Sequence, residues 1–345
     1  MPVRQYCAQS PGHTGLARED TVTSFALRLC AIATAACAVA TVTNVNAQNY
    51  PAQPIHMIVG FPAGSGADIY ARFFAGKLQA ASKVNVLVEN KPGAAASIAA
   101  EYVARAKPDG YTIFIGGSDS FGAPLYTFKA PPTDPRKDFV YVSPVVSQSF
   151  LFTVPANSPH KTVAELTAAL KLKKEKGAYA ATNNTAIILG ETYKQSAGLE
   201  TVQVNYRTNV DYVNDLASGR LDFVMVDPVF GTASIRNGSM RALAVSTARR
   251  IRALPDVPTM QEAGVPGVDV DQWWLIAAPA GTPAPIVERL NGWFTEIGKM
   301  DETRDFLGKN GVEPRIATAA ETKALIEKEI VNWANYVKVA KIAPQ

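Results

Sequence analysis

The sequence predicts an α/β protein in which two lobes enclose a ligand cleft. Apolar runs of strand length alternate with amphipathic helical segments, which is typical of parallel sheets with helices on both faces. The 345 residues suffice for two domains of ordinary size. Small and polar residues follow several predicted strands, at the sheet edge where α/β proteins bind ligands. These observations indicate a binding site shared by the ends of several strands.

A secretory signal peptide is predicted at the N-terminus. Arg28 precedes an alanine-rich apolar run, residues 29–40, that is too short to span a membrane stably. Val45-Asn46-Ala47 then supplies a signal-peptidase cleavage site before Gln48. Residues 1–47 are therefore predicted to be an N-terminal extension and signal peptide that are removed, which would place the mature chain in the periplasm.

Charge and cysteine content argue against several classes of protein. The net charge is only +4 and no basic cluster is present, so nucleic acid is not a predicted partner. Cys7, Cys30 and Cys37 all precede the predicted cleavage site, so the mature chain would have no thiol catalysis, disulfide or cysteine metal ligand. A lipid on Cys37 is the alternative, although the three residues before it include no bulky apolar side chain. His56 and His160 are interpreted as structural or surface residues, and no metal or cofactor is predicted.

The most informative stretch is a strand, a turn of small residues and a helix. The strand is predicted over residues 55–59, and the helix after the turn has an apolar face. Gly64 and Gly66 can adopt conformations closed to other residues, and without a Cβ they allow a ligand to approach the main chain. The helix N-terminus supplies unpaired N–H groups and a partial positive charge, so this corner suits an anion. The alternative is an ordinary α/β corner that binds nothing. The apolar face comprises Ile69, Phe73, Phe74 and Leu78.

Enzyme motifs do not fit this turn. A nucleophile elbow requires glycine two residues on either side of its serine, whereas Ser65 has Ala63 and Ala67 at those positions. A phosphate-binding P-loop ends in Gly-Lys-Ser/Thr, whereas Gly66 is followed by Ala67-Asp68. A secreted hydrolase is therefore the weaker rival to a binding protein, because the mature chain also lacks a cysteine nucleophile and a well-placed histidine base.

The remaining predicted elements continue the alternation along the chain. Strand-like runs at 145–154 and 272–278 are predicted to cross between the lobes. Further strands are predicted at 84–88, 111–115, 179–181, 202–204, 221–226 and within 238–246. Helices are predicted at 94–106, from a capping box at Thr162 to about 174, from about 186, at 211–217, from Thr282 as N-cap, and from a capping box at Thr318. Trp333 in the last helix is predicted to be a core residue.

Polar side chains at other strand ends extend the candidate site. In the run Gly116–Phe121, Asp119 is explained as well by a solvated loop as by a ligand contact. Thr182-Asn183-Asn184-Thr185 forms a second corner of strand, polar turn and helix. Asp227 follows another buried strand, where pinning of a loop or a water-mediated contact is favoured because a bare carboxylate repels an anionic ligand.

Long motifs in the sequence resemble those of the Bug/TctC family of periplasmic substrate-binding proteins. The first is Phe61-Pro62-Ala63-Gly64-Ser65-Gly66-Ala67-Asp68, followed by Ala71-Arg72. Similar motifs follow in the family's order at 88–94, 106–112, 134–139, 254–259, 262–267, 273–274 and 278–283. The sequence departs from the family at Ala95 and Ala96, where glycines are usual, and at Asn205-Tyr206-Arg207-Thr208, where Pro-Tyr-Lys-Gly is usual. It also departs at 182–188, where a longer Gly/Ser turn and a His-Leu pair are usual.

The resemblance implies a type II periplasmic binding protein fold, with the ligand cleft between two α/β lobes. On that basis one lobe comprises residues 48–150 and 275–345, and the other comprises residues 151–274. The resemblance also implies a monomer, not an enzyme, that captures a small carboxylate for the membrane components of a tripartite tricarboxylate transporter. A ligand-sensing component of a signalling system would use the same closed form, and the sequence leaves that alternative open.

Groups from both lobes are predicted to hold the ligand. Backbone N–H groups from Ala63 to Ala67 would bind one carboxylate, and the second-lobe turn with Tyr206 and Thr208 would bind the other end. The predicted ligand-binding residues are Phe61, Ala63, Gly64, Ser65, Gly66, Ala67, Asp68, Ser118, Asp119, Phe121, Thr182, Asn183, Asn184, Thr185, Tyr206, Thr208 and Asp227.

The departure in the second-lobe turn leads to a hypothesis about ligand shape. Ile187-Ile188 replaces the usual His-Leu pair, and Tyr70 and Phe121 are predicted to add apolar surface near the other turns. Apolar walls favour a longer or aromatic dicarboxylate, such as a benzene dicarboxylate, over malate, aspartate or citrate. The alternative is that Ile187 and Ile188 pack the helix against the sheet and have no bearing on the ligand.

Overall fold

Two mixed sheets organise the chain in the computed structural model, which describes residues 49–344. Both sheets lie within the unit Pro51–Gln345. The predicted signal peptide and the cleavage site before Gln48 fall outside the described residues. No helix within the described range is both long and apolar enough to cross a membrane.

The strands follow the predicted order, with bounds that shift by a few residues. They are β1 (Ile55–Val59), β2 (Val86–Asn90), β3 (Thr112–Gly117), β4 (Phe139–Ser149), β5 (Leu151–Pro155), β6 (Ala178–Ala181), β7 (Val202–Asn205), β8 (Phe223–Val226), β9 (Met240–Val245), β10 (Asp271–Pro279) and β11 (Val312–Pro314).

Helices separate most of these strands and include short ones that the sequence did not predict. They are α1 (Gly66–Ser82), α2 (Ser97–Ala104), α3 (Asp119–Gly122), α4 (Pro124–Thr127), α5 (Val163–Lys173), α6 (Asn184–Ala197), α7 (Val213–Ala217), α8 (Pro228–Arg236), α9 (Ala284–Lys299), α10 (Asp301–Lys309) and α11 (Ala319–Val339). Two 3-10 turns, Ala94–Ala96 and Lys174–Lys176, lie between them.

The first sheet has the strand order β11-β4-β10-β3-β1-β2. Strands β2 and β3 pair with β1 in parallel, whereas β10 runs antiparallel to both β3 and β4. The parallel pairing predicted from the alternation of strands and helices is therefore confirmed for β1, β2 and β3, whereas the two crossing strands β4 and β10 add antiparallel pairs that were not predicted. The chain leaves this sheet along β4 and returns along β10, so these two strands run in opposite directions beside each other.

The second sheet has the order β7-β6-β8-β5-β9, in which β5 is antiparallel to its two neighbours. The predicted crossing run 145–154 is divided at Phe150, between the end of β4 and the start of β5. At this point the Phe150 N–H donates to Ser246 Oγ over 2.9 Å, which ties the outgoing segment to the end of β9. The lobe boundaries predicted at 150 and 275 remain proposals.

The helix predicted from Ala94 begins three residues later, at Ser97. Ala94, Ala95 and Ala96 have φ values of 46°, 50° and 71°, in the left-handed region. Each such conformation costs roughly 1–2 kcal/mol for a residue with a Cβ, so glycine would be the less strained residue at these three positions. Ala96 packs on Gly60, where an added Cβ would lie 2.3 Å from the Ala96 Cβ.

Helix caps were predicted with mixed success. The capping box of α11 is confirmed, because Thr318 Oγ1 accepts from the Glu321 N–H and the Glu321 carboxylate accepts from the Thr318 N–H. The Thr282 cap was wrong. Pro283 occupies the N-cap of α9, and Thr282 Oγ1 donates instead to the Pro279 carbonyl over 2.8 Å. Trp333 is buried in the core, as predicted.

Candidate functional site

A cavity of about 500 Å³ lies between the two sheets, where the corners at β1–α1 and β6–α6 face each other. Ten of the predicted ligand-binding residues line it: Phe61, Ala63, Gly64, Ser65, Gly66, Ala67, Thr182, Asn183, Thr208 and Asp227. The sequence therefore predicted residues that line one cavity although they lie in segments more than 100 residues apart. Whether they contact a ligand remains a prediction.

The first-lobe turn is held together from within. Ser65 caps α1 by accepting from the Asp68 N–H over 3.3 Å, and the Gly64 N–H donates to Asp68 Oδ2 over 2.9 Å. Gly64 has a φ of 81°, which favours glycine. Since the Gly64 N–H is already paired, the first-turn amides of Gly66 and Ala67 are the donors that α1 offers to the cavity.

Asp68 stabilises this turn from behind, outside the cavity lining. Arg72 Nε and Asn90 Nδ2 each donate to its carboxylate over 2.9 Å. Burial raises the pKa of Asp68, but the hydrogen bonds from Arg72, Gly64 and Asn90 outweigh it, so the pKa lies below its usual value. Asp68 thus remains ionised and orients the turn, although it was predicted as a ligand-binding residue.

The second-lobe corner is built in the same way. Asn183 caps α6 through a 2.9 Å hydrogen bond from the Ala186 N–H to its Oδ1. Thr182 Oγ1 donates to Asn209 Oδ1 over 3.2 Å, and Asn209 Nδ2 donates to the Asp227 carboxylate. This chain of side chains connects the β6–α6 turn to the loop after β7 and to the N-terminus of α8.

Asp227 pins its loop, which was the favoured interpretation of this residue. It caps α8 by accepting from the Phe230 N–H over 3.1 Å. Burial raises the pKa of Asp227, and the hydrogen bonds from Phe230 and Asn209 partly offset that effect. The carboxylate also packs against Gly66, where an added Cβ would lie 2.9 Å from Asp227 Oδ1. Asp227 therefore marks the point where the two lobes approach each other across the cavity.

Residues 71–342 match the family model described as the tripartite tricarboxylate transporter family receptor, TctC. The chain belongs to this family. A UPF0065 protein from Bordetella bronchiseptica is 35% identical to it over 300 residues, which cover 86% of this chain and 89% of that protein. BugT from Bordetella pertussis is 31% identical over 297 residues, which cover 85% of this chain and 91% of BugT.

Solved structures of other proteins share the fold. Rpa4515 from R. palustris, solved with adipate, has a TM-score of 0.83 and 29% identity, and the match covers 86% of this chain and all of that one. MatC from Rhodopseudomonas palustris, solved with malate, has a TM-score of 0.77 and 25% identity over 84% of this chain and all of MatC. The predicted type II binding-protein fold is confirmed. The family consists of solute-binding proteins and not enzymes.

Seven predicted residues of this TctC family member lie outside the cavity lining: Asp68, Ser118, Asp119, Phe121, Asn184, Thr185 and Tyr206. Phe121 packs in the first-lobe core, with its ring centroid 5.3 Å from that of Phe139. The Tyr206 hydroxyl donates to Asp215 over 2.7 Å. Asn184 is the first residue of α6, next to its cap. These residues support the loops and the core instead of lining the site.

Asp119 and Thr185 join the lobes to each other. Thr185 Oγ1 donates to Asp119 Oδ2 over 3.2 Å, and Gln272 Nε2 donates to Asp119 Oδ1 over 2.9 Å. Burial raises the pKa of Asp119, which the hydrogen bonds from Gln272 and Thr185 partly offset. Two further hydrogen bonds extend this network. Gln148 donates to Gln272, and the Tyr70 hydroxyl donates to Gln148 Oε1 over 2.9 Å. A buried line of hydrogen bonds thus runs from the cavity wall to the lobe contact.

The walls of the cavity are mostly apolar, but not through the residues that the sequence singled out. Ile188 packs beside Ala123 and Trp333, and Ile187 packs on the second-lobe core, so the alternative that they have no bearing on the ligand agrees with the structure. Of the side chains predicted to add apolar surface, only Tyr70 lines the cavity. Aromatic lining residues that the sequence analysis missed are Phe150, Phe230 and Trp274.

Charged and polar lining residues were missed as well, namely Gln148, Arg207, Asn209 and Gln272. Gln148 and Gln272 lie on the crossing strands, and only the pairing of β4 with β10 brings them together. Arg207 could have been found from the sequence, because it lies in a loop motif that departs from the family pattern. Such a departure is a reason to examine the side chain. No three His, Cys, Asp or Glu side chains within residues 49–344 are grouped to hold a metal ion.

Proposed function

We propose that this chain captures a dicarboxylate in the cavity between its lobes and delivers it to the membrane components of a tripartite tricarboxylate transporter. The observation that carries the proposal is the meeting of the α1 N-terminus with the second-lobe loops around a space of about 500 Å³. That volume is within the usual range for small-molecule sites. Relatives solved with adipate and malate support a carboxylate as the ligand.

Capture would depend on binding and orientation, without chemistry. The amides of Gly66 and Ala67 hold one carboxylate at the positive end of α1. Residues of the second lobe, including Thr182, Asn183 and Thr208, hold the rest of the ligand. A ligand that contacts both lobes stabilises the closed form. A membrane partner would recognise the surface that this closed form presents.

The cavity walls favour a long ligand. Phe61 and Tyr70 each pack edge-on against Trp274, with ring centroids 5.8 Å apart, and Phe150 and Phe230 also line the space. Methylene groups or an aromatic ring in the middle of the ligand gain about 25 cal/mol per Å² when they are buried against such walls. A medium-chain or aromatic dicarboxylate is therefore proposed in preference to malate, aspartate or citrate.

Isothermal titration with succinate, adipate, terephthalate, malate, aspartate and citrate tests this proposal. Adipate has two more methylenes than succinate, and at about 0.8 kcal/mol each they predict roughly 15-fold tighter binding. Adipate and terephthalate are expected to bind more tightly than the short hydroxy and amino acids. Tighter binding of malate or aspartate would contradict the proposed ligand class, and no binding by any acid would contradict the proposed function.

Secretion to the periplasm is part of the same proposal. The apolar run at 29–40 and the cleavage site before Gln48 support export and processing. N-terminal sequencing of periplasmic material is expected to begin at Gln48 or within a few residues of it. A mature protein that keeps Cys37 with an attached lipid would contradict this processing.

A further inference from the structure

Arg207 occupies an anchored position at the ligand cavity. The backbone is fixed on both sides of it, because the Tyr206 N–H donates to the Ala181 carbonyl over 2.9 Å and the Thr208 N–H donates to the Asp211 carboxylate over 2.9 Å. Arg207 itself is exposed and lines the cavity from the loop between β7 and α7. An exposed cationic side chain is thus carried on a fixed segment of backbone.

The guanidinium of Arg207 is unusual in having no partner among the residues that the structure describes. Within residues 49–344, every arginine except Arg207 and Arg249 has a hydrogen bond, an ion pair or another interaction with its side chain. Exposed arginines of this chain typically pair with a carboxylate nearby, as Arg220 does with Asp215. Arg207 pairs with no carboxylate of the described residues, and the Asp211 carboxylate, four residues away, accepts from the Thr208 N–H instead.

The other polar side chains of the cavity are mostly engaged. Hydrogen-bond partners exist for Tyr70, Gln148, Gln272, Asn183, Asn209 and Asp227, while the indole N–H of Trp274 is buried with no partner in residues 49–344. Among the described residues that line the cavity, Arg207 is the only one with a cationic side chain. A second negative charge on the ligand would find its counter-charge there.

We infer that Arg207 binds the distal carboxylate of the ligand and so selects dicarboxylates over monocarboxylates. The inference rests on the proposed function, in which the first carboxylate binds the amides of Gly66 and Ala67 in the opposite lobe. A planar guanidinium matches a carboxylate with two parallel hydrogen bonds. Because one anion site belongs to each lobe, a ligand with a charge at both ends holds the lobes together, and one with a single charge does not.

Titration of the Arg207→Gln variant with adipate and with its monomethyl ester tests this role. The single carboxylate of the ester is expected at the α1 amides, which are more enclosed than Arg207. Loss of a charge-assisted hydrogen bond predicts roughly 10- to 100-fold weaker adipate binding and an unchanged ester affinity. The preference for the diacid over the ester therefore collapses. Added salt is expected to weaken adipate binding to the wild type more than to the variant.

Arg249→Gln is the matched control, since Arg249 is the other unpartnered arginine of the described residues but lines a separate cavity. Its preference for the diacid is expected to equal that of the wild type, and Arg207→Lys is expected to be intermediate. The inference would be overturned if Arg207→Gln bound adipate as tightly as the wild type does, or if it lost equal affinity for the diacid and the ester. It would also be overturned if Arg249→Gln weakened adipate binding as much as Arg207→Gln does. If the wild type binds no dicarboxylate, the proposed function and the inference both fail. If the wild type binds adipate and Arg207→Gln binds it equally well, only the inference about Arg207 fails.

Discussion

Replacement of Gly66 by valine is expected to abolish ligand binding while the fold is kept. A Cβ at this position would lie 2.9 Å from Asp227 Oδ1 and 3.2 Å from Val229 Cβ, both in the opposite lobe. The two further methyl groups of valine would fill the cavity at the amides that hold the carboxylate. Gly66 does not have a positive φ, so valine introduces no backbone strain. Loss of two hydrogen bonds to a charged group predicts at least roughly 100-fold weaker binding.

Thermal unfolding with and without a dicarboxylate measures this effect. A ligand at 100 times its Kd stabilises the wild type by about 2.7 kcal/mol, and the Gly66→Val variant should lose most of that shift. Gly76→Val is the matched control, because Gly76 lies in the same helix and an added Cβ there meets nothing within 4 Å. A full ligand-induced shift in Gly66→Val would show that the carboxylate binds elsewhere.

Local sequence signals were sufficient to predict the two corners of the site. The β1–α1 corner is specified by residues within one short stretch, where Ser65 caps the helix and glycines open the turn. The β6–α6 corner likewise depends on Asn183 as a cap beside a short strand. Each corner is determined by neighbouring residues, so an inspection of one segment at a time is enough to find it.

Residues that the tertiary structure assembles could not be predicted in this way. Tyr70 and Gln148 are 78 residues apart, and Gln148 and Gln272 are 124 residues apart. The contact of Gln148 with Gln272 depends on the antiparallel pairing of β4 with β10, which the sequence analysis did not predict. Phe121 was predicted to bind the ligand, and Ile188 was a hypothetical cleft wall because it replaces part of a His-Leu pair usual in the family. A side chain just past a turn can face either the cavity or the core. Only the packing of the neighbouring elements decides between them.

A second carboxylate, half-buried beside Asp119, lies near the contact between the lobes and was not identified by the sequence analysis. Glu329 on α11 accepts hydrogen bonds from Trp333 Nε1 over 3.0 Å and from Ser118 Oγ over 3.2 Å. Burial raises the pKa of Glu329 to about 7, although these hydrogen bonds oppose the shift, and the negative charge of Asp119 adds to it. Because the pKa of half-buried Glu329 is raised in the folded protein, the stability of this region depends on pH.

Glu329→Gln is expected to be more stable than the wild type at pH 8, by on the order of 3 kcal/mol. In the wild type the folded protein holds a proton on Glu329 up to about pH 7, whereas the unfolded chain releases it near the ordinary glutamate pKa of 4.5. The free energy of unfolding therefore falls as the pH rises from 4.5 to 7, and stays low above 7. Glutamine carries no charge and still accepts from Trp333, so this part of the pH dependence disappears and the stabilities of the two proteins converge near pH 4.5.

Urea unfolding from pH 4.5 to 8 measures the difference in the free energy of unfolding. Glu327→Gln, at an exposed position on the same helix, is the control. Parallel pH profiles for Glu329→Gln and the wild type would show that Glu329 titrates alike in the folded and unfolded chain.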